Sequence, residues 1–160
     1  MDKFFTLDLL VRLTASFVGS ATFAVVFKAN RRHVVFGGLN GLFTYFVYYA
    51  VFYLLESAFA AALLSTAIAA VFAELLARKR RAPANVFLIP GVIPTVPGSN
   101  LYFFMRNMLE ANLAVAVAEL GTALSVALGI ACGTVSVSIT WGILSDKISK
   151  RKAKNAVGPH

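Results

Sequence analysis

Ile89-Pro-Gly-Val-Ile-Pro-Thr-Val-Pro-Gly-Ser-Asn-Leu-Tyr-Phe-Phe-Met105 is the stretch on which the fold turns. Three of the five prolines, Pro90, Pro94 and Pro97, fall within it, and glycines follow the first and the third. It lies inside 24 consecutive uncharged residues between Arg81 and Arg106. Such a segment is apolar enough for a bilayer and too interrupted for a regular helix, because each interior proline removes a backbone hydrogen bond and clashes with the carbonyl four residues back. Lipid offers no partner for the freed groups, so the segment has to be wrapped by other helices or line a polar cavity. Gly/Pro-interrupted segments of this kind point to binding sites in transporters. The plain alternative is a proline-kinked helix that touches no ligand.

The surrounding composition agrees with a bilayer. The chain has 160 residues, 59% hydrophobic and 14% charged, with mean hydropathy +0.77. Soluble domains are about half apolar and about a quarter charged. The expected class is therefore all-α, an integral membrane helical bundle. The N-terminus does not read as a cleaved signal, since Met1-Asp2-Lys3 lacks a basic n-region and apolar sequence runs on past it. Cys132 is the single cysteine, inside an apolar run, and reads as a small packing residue. A net charge of +8 raises nucleic acid as a partner, but the cations fall in short clusters beside apolar spans, where membrane topology and anionic lipids account for them.

Working outward, five transmembrane helices are expected over residues 1–145, at about 6–27, 34–55, 58–77, 85–105 and 113–144, with a basic, frayed tail over 146–160. The fourth is the Pro/Gly-broken span. Asp8 and Arg12, and again Arg106 and Glu110, are spaced for pairing on one helix face. Gly37, Gly38 and Gly41 open span two, and Tyr45, Tyr48, Tyr49 and Tyr53 crowd its second half, where interfacial anchoring explains at least Tyr53. Glu74, one turn before Arg78-Lys-Arg-Arg81, reads as paired with those cations. Gly121, Ser125, Gly129 and Gly133 recur every four residues as a small-residue stripe on the long last span. These glycine faces fit contact with the chain's own helices, with a second copy in a homo-oligomer, or with a partner.

Twelve of the fifteen Lys and Arg residues lie after span one, after span three and in the tail. They share one side of the membrane only if five spans place the N-terminus outside and the C-terminus in the cytoplasm. A four-span arrangement with a re-entrant proline segment would separate them.

The run Glu74-Leu-Leu-Ala-Arg78, Pro83-Ala-Asn-Val-Phe87, Ile89-Pro-Gly-Val-Ile-Pro-Thr-Val-Pro-Gly98 and then Tyr102 resembles the threonine/serine exporter family, and within it the small, separately encoded subunit that corresponds to the C-terminal membrane half of fused exporters. The resemblance covers nearly the whole chain, including the asparagine and glycines opening span two; the proline-glycine motif is its specific part. It implies secondary transport out of the cell, across the cytoplasmic (plasma or inner) membrane. Its implied substrates are small hydroxy amino acids, or in some two-subunit members C4-dicarboxylates such as succinate, and it implies a larger partner subunit. Thr95 stands where members often carry leucine, Ala29-Asn30 where a proline is usual, and Glu119 lies outside the family pattern.

Either class of cargo carries a carboxylate. Free backbone N–H groups at a half-helix N-terminus bind such an anion. A break at Pro94, Pro97 and Gly98 creates that end inside the membrane, with Ser99 and Asn100 as natural N-caps for the continuing helix. Thr95, Gly98, Ser99 and Asn100 are thus candidate donors, and Tyr102 a pocket wall; the alternative is that Ser99 only caps. Proton coupling needs an acid whose pKa rises in a dry site, for which Glu119, Glu74 and Asp8 are candidates.

An enzyme is the rival class, and the residues argue against it. The two histidines, His33 and His160, and the lone cysteine form no nucleophile–base pair and no metal-ligand spacing; no phosphate-binding Gly-Lys-Ser/Thr loop occurs. No cofactor or metal is expected. A structural membrane subunit, with the transport path in its partner, remains the third reading. The topology has a direct check: a reporter fused at His160 should behave as cytoplasmic and one inserted near Glu56 as external, and cytoplasmic behaviour at Glu56 would contradict the charge argument.

Overall fold

Long runs of Ala, Leu, Val and Phe without interior proline make continuous helices of residues 58–80 and 113–156, while the proline-rich stretch between them does not. The computed structural model describes the backbone of residues 2–27 and 29–156, and the side chains of 7–27, 29–31 and 33–145. Lys28, the Arg32 side chain, the tail charges and His160 lie outside the described residues. The elements are α1 (Asp2–Val26), α2 (Arg31–Leu55), α3 (Ala58–Arg80), α4 (Asn85–Val92), a 3₁₀ turn (Ile93–Thr95), α5 (Gly98–Leu109) and α6 (Leu113–Ala156). No strand occurs among the described residues.

The chain is an all-α membrane bundle. Among the described residues four helices are long and apolar enough to cross a bilayer, and α4 with α5 forms a further pair bent by 45° at the break. The connections are tight. Glu56, Arg81 and Ala111 adopt left-handed backbone conformations, at φ 50°, 53° and 55°, to end α2, end α3 and link α5 to α6. Ser57 caps α3, its Oγ accepting from the Ala60 amide at 3.4 Å. The expected frayed tail is different: helix α6 continues through Ala156. The tail's Lys, Arg and Ala are good helix formers, and cations favour a helix C-terminus. The apolar part of α6, Leu113–Ser145, spans 33 residues. At 1.5 Å per residue that is about 50 Å, longer than a hydrocarbon core, so α6 tilts or extends beyond it.

Helix α3 sits at the centre, against α2, α4 and α6. Its buried positions are small from Ala61 through Ala73, namely Ala61, Ala62, Ser65, Thr66, Ala69, Ala70 and Ala73, with Leu76 the one large buried side chain near its end. Larger side chains such as Leu64, Leu124 and Leu128 point outward. This inversion of the soluble pattern suits lipid, where helices associate by close backbone approach rather than by hiding apolar bulk.

The α6 glycine stripe divides in two. A methyl on Gly129 would lie 2.7 Å from the Phe59 carbonyl oxygen and 2.8 Å from the Ala62 Cβ, and one on Gly133 would run into the Leu63 carbonyl and the Thr66 hydroxyl. Gly121 has open space around it. The lower half of the stripe therefore packs on the chain's own α3, whereas Gly121 is not part of that contact. Gly133→Leu should accordingly cost several times what Gly121→Leu costs, at least the roughly 1–3 kcal/mol of ordinary overpacking. Thermal melting of the detergent-solubilised variants checks this, and equal melting temperatures for the two would refute the α3–α6 contact.

Candidate functional site

The break is built from three prolines used in different ways. Pro90 lies inside α4, where it is buried and leaves one carbonyl without its intrahelical partner. The chain then tightens into the 3₁₀ turn, with the Val96 amide donating to the Ile93 carbonyl at 3.2 Å. Thr95 is buried, and its hydroxyl donates to the Val92 carbonyl at 2.7 Å. Val96 is extended, as a residue before proline prefers. Pro97 precedes Gly98, where α5 begins.

One side chain from outside the segment holds the first half in place. Asn40 of α2 is 1% exposed. Its Nδ2 donates to the Phe87 carbonyl at 3.0 Å and to the Ala69 carbonyl at 3.3 Å, so one amide ties α2 to α4 and α3. Gly91 permits the approach, since a methyl there would lie 2.7 Å from the Asn40 Cγ. Both carbonyls lie within helices, so the amide adds bonds between helices, each worth about 0.5–1.5 kcal/mol. Asn40 had no role in the sequence reading beyond its place in the resemblance. The available signal was an amide, set among glycines, inside an uncharged span.

The second half is differently placed. Helix α5 buries none of its residues and leans on α6. Gly98 and Ser99 are exposed, and Tyr102 is 63% exposed, its ring edge-on to Phe103 at 5.5 Å. The expected capping by Ser99 and Asn100 is corrected. The helix starts at Gly98, ahead of both residues, so Pro97 occupies the cap position and no side chain caps it. Asn100 instead donates its Nδ2 to Glu119 Oε2 at 2.8 Å, joining a candidate donor to a candidate coupling acid across α5 and α6.

The other two acids have different surroundings. Asp8 pairs with Arg12 as expected, Oδ2 to Nε at 2.8 Å, and Arg106 pairs with Glu110 at 2.9 Å. Glu74 forms no ion pair among the described residues, contrary to expectation. The nearby arginines take aromatic partners, Arg78 over Trp141 at 4.9 Å and Arg80 over Phe36 at 4.3 Å. Among the described residues no three His, Cys, Asp or Glu side chains gather where they could hold a metal.

A cavity of about 290 Å³ opens beside the break, between α1, α2 and the 3₁₀ turn. Arg12, Ser16, Ser20, Tyr45 and Pro94 are among its walls. Of the residues singled out for substrate contact, Pro94 lines this cavity, whereas Ser99, Asn100 and Tyr102 lie beyond it on α5. The break thus has two faces: one at a shallow cleft toward α1 and α2, and one where the first-turn amides of α5 begin. Helix N-termini leave such amides without intrahelical acceptors and carry partial positive charge.

Comparison with known proteins adds the following. A family model described as "Threonine/Serine exporter, ThrE" matches residues 12–140. A threonine/serine exporter of Corynebacterium glutamicum is 32% identical over 124 residues, which is 78% of this chain and 25% of that protein. The chain therefore spans about a quarter of the curated relative it matches. No solved structure matches it.

Proposed function

This chain belongs to the threonine/serine exporter family, a family of membrane transporters, and from that premise we propose that it forms part of a secondary active exporter moving threonine and serine out of the cell. The observation that carries the reading is the interrupted helix: residues 93–97 break a span inside an otherwise apolar bundle, and Asn40 ties the half before the break to α2 and α3. C4-dicarboxylates such as succinate are the alternative cargo.

In this reading Pro94 and Pro97 set the break, and Thr95, Gly98, Ser99, Asn100 and Tyr102 form the substrate's path along it. The amides of Ser99 and Asn100 meet a carboxylate at the positive end of α5. Glu119 is the coupling acid. It accepts a hydrogen bond from Asn100, so a proton gained there weakens the contact between α5 and α6 and ties the state of the acid to the position of the half-helix. Asp8, already paired on an exposed face of α1, and Glu74 at the cationic end of α3 are weaker candidates.

A larger membrane subunit completes the path. The support is the exposed polar start of α5 at Gly98 and Ser99, which in lipid needs cover from another protein surface. A second copy of the chain is the other source of that cover. The N-terminus lies outside the cytoplasmic membrane and the C-terminus inside, following the cation distribution. The protein is not read as an enzyme.

The rival role is a structural subunit whose partner alone carries the path, and one variant separates the two. Pro94→Ala with Pro97→Ala favours a continuous helix, because alanine is the best helix former, and keeps the segment apolar. Membrane abundance should stay at the wild-type level while threonine efflux falls by roughly tenfold or more, the equivalent of one lost hydrogen-bonding interaction at the site. Normal abundance with unchanged efflux would mean that the break is a kink without a role in transport.

A further inference from the structure

Helix α6 does not stop where its apolar sequence stops. The apolar span ends at Ser145, and the helix runs on through Ala156. Residues 146–156 carry five cations and one acid, Asp146. Lys147, Lys150, Arg151 and Lys154 recur at i, i+3, i+4 and i+7, so by register they share one face of the helix. Ile148, Ser149 and Lys152 fall on the other side. A tail that only sets membrane orientation needs the cations but not their register.

A contact between α3 and α6 gives the level at which these helices leave the hydrocarbon. Arg78, in the last turn of α3, lies over the Trp141 ring at 4.9 Å. Tryptophan and the head of a long cationic side chain both belong at the membrane–water interface. Lys147 is six residues beyond Trp141 and Lys154 thirteen. At 1.5 Å per residue they stand about 9 and about 20 Å past that level. The headgroup layer on each side is only about 5–8 Å deep. Even at a tilt of about 40°, Lys154 is about 15 Å out. The continuous helix therefore carries most of the stripe through the headgroups into water. Arg78, Lys79, Arg80 and Arg81, at the interface itself, are the cations placed to meet anionic lipid. A cationic face held in water on a preformed helix is complementary to acidic side chains on a protein surface, and little chain entropy is lost when it docks.

We propose that the stripe Lys147, Lys150, Arg151 and Lys154 docks on an acidic surface of the larger subunit, outside the membrane on the side of the C-terminus. The inference rests on the two-subunit exporter reading. It gives that partner a second contact, at the far end of α6 from the Asn100–Glu119 bond.

The test co-expresses the tagged full chain with the larger subunit in the source organism and measures how much of that subunit co-purifies in mild detergent. Lys150→Gln with Arg151→Gln removes two positive charges from the stripe and should lower recovery by roughly two- to thirtyfold, as for loss of two exposed ion pairs. Ser149→Glu with Lys152→Gln makes the same change in net charge on the other side of the helix and should match wild type. Lys150→Arg with Arg151→Lys keeps the charge of the stripe and should also match. In nanodiscs holding the chain alone, a fluorophore attached through Asn155→Cys in a Cys132→Ala background should be quenched little by headgroup-labelled lipid, with or without anionic lipid present. Quenching that rises with anionic lipid and is lost on Lys150→Gln with Arg151→Gln would assign the stripe to the membrane surface and refute the docking. Equal recovery of the larger subunit by the two charge-removing variants would also refute it and leave the exporter reading standing. A larger subunit that never co-purifies with the wild-type chain would overturn the two-subunit reading and the docking together.

Discussion

The amide of Asn40 is the contact on which the rest of this structure depends. A helix broken at membrane depth exposes carbonyls that lipid cannot satisfy. Asn40 pins the segment just before the break, reaching the carbonyls of Phe87 on α4 and Ala69 on α3 from a position on α2. Because Gly91 has no side chain, α4 can lie directly against that amide. Three helices are thereby joined at the level of the first proline, and the prolines that follow are free to turn the chain without unravelling the bundle.

From that joint the two halves of the segment diverge. The first is enclosed by α1, α2 and α3 and adjoins a cavity with a cation at its wall. The second leans on α6 and presents polar backbone and Asn100 away from the core, with Glu119 bonded to Asn100. Small residues make this possible elsewhere in the fold. Alanines on α3 and glycines on α6 bring backbones into contact, so the bundle keeps its shape while its large apolar side chains remain turned to the outside. The fold is thus closely packed around α3, whereas α5 buries none of its residues.

Much of the fold was legible in the residues. Apolar runs located the long helices, the prolines located the break, and the i, i+4 spacing of Asp8 with Arg12 and of Arg106 with Glu110 foretold pairs that form at 2.8 and 2.9 Å. These are local properties, decided within a few residues of chain. What escaped depends on neighbours distant in sequence. Asn40 acts on residues 29 and 47 positions away. The start of α5 at Gly98 displaced Ser99 and Asn100 from their expected cap, freeing Asn100 to reach an acid 19 residues on. Glu74 was expected to pair with Arg78, whose guanidinium lies instead over Trp141 of α6. The glycine periodicity of α6 did not reveal that Gly129 and Gly133 meet α3 while Gly121 does not. Arg12 read as one half of a helical ion pair, and only the fold brings it beside Pro94.

The central claim is that the break lies along a watered, substrate-occupied path rather than against lipid. Cysteine labelling tests it most directly. In a Cys132→Ala background, single cysteines at Ser16 and Ser99 sample the two faces of the break, and one at the exposed apolar position Val117 samples the outer surface of α6. A water-soluble maleimide should modify the cysteines at 16 and 99 and spare that at 117, and threonine should slow both reactions. Equal inertness at all three positions would contradict the account, because a break that water never reaches cannot carry a polar cargo.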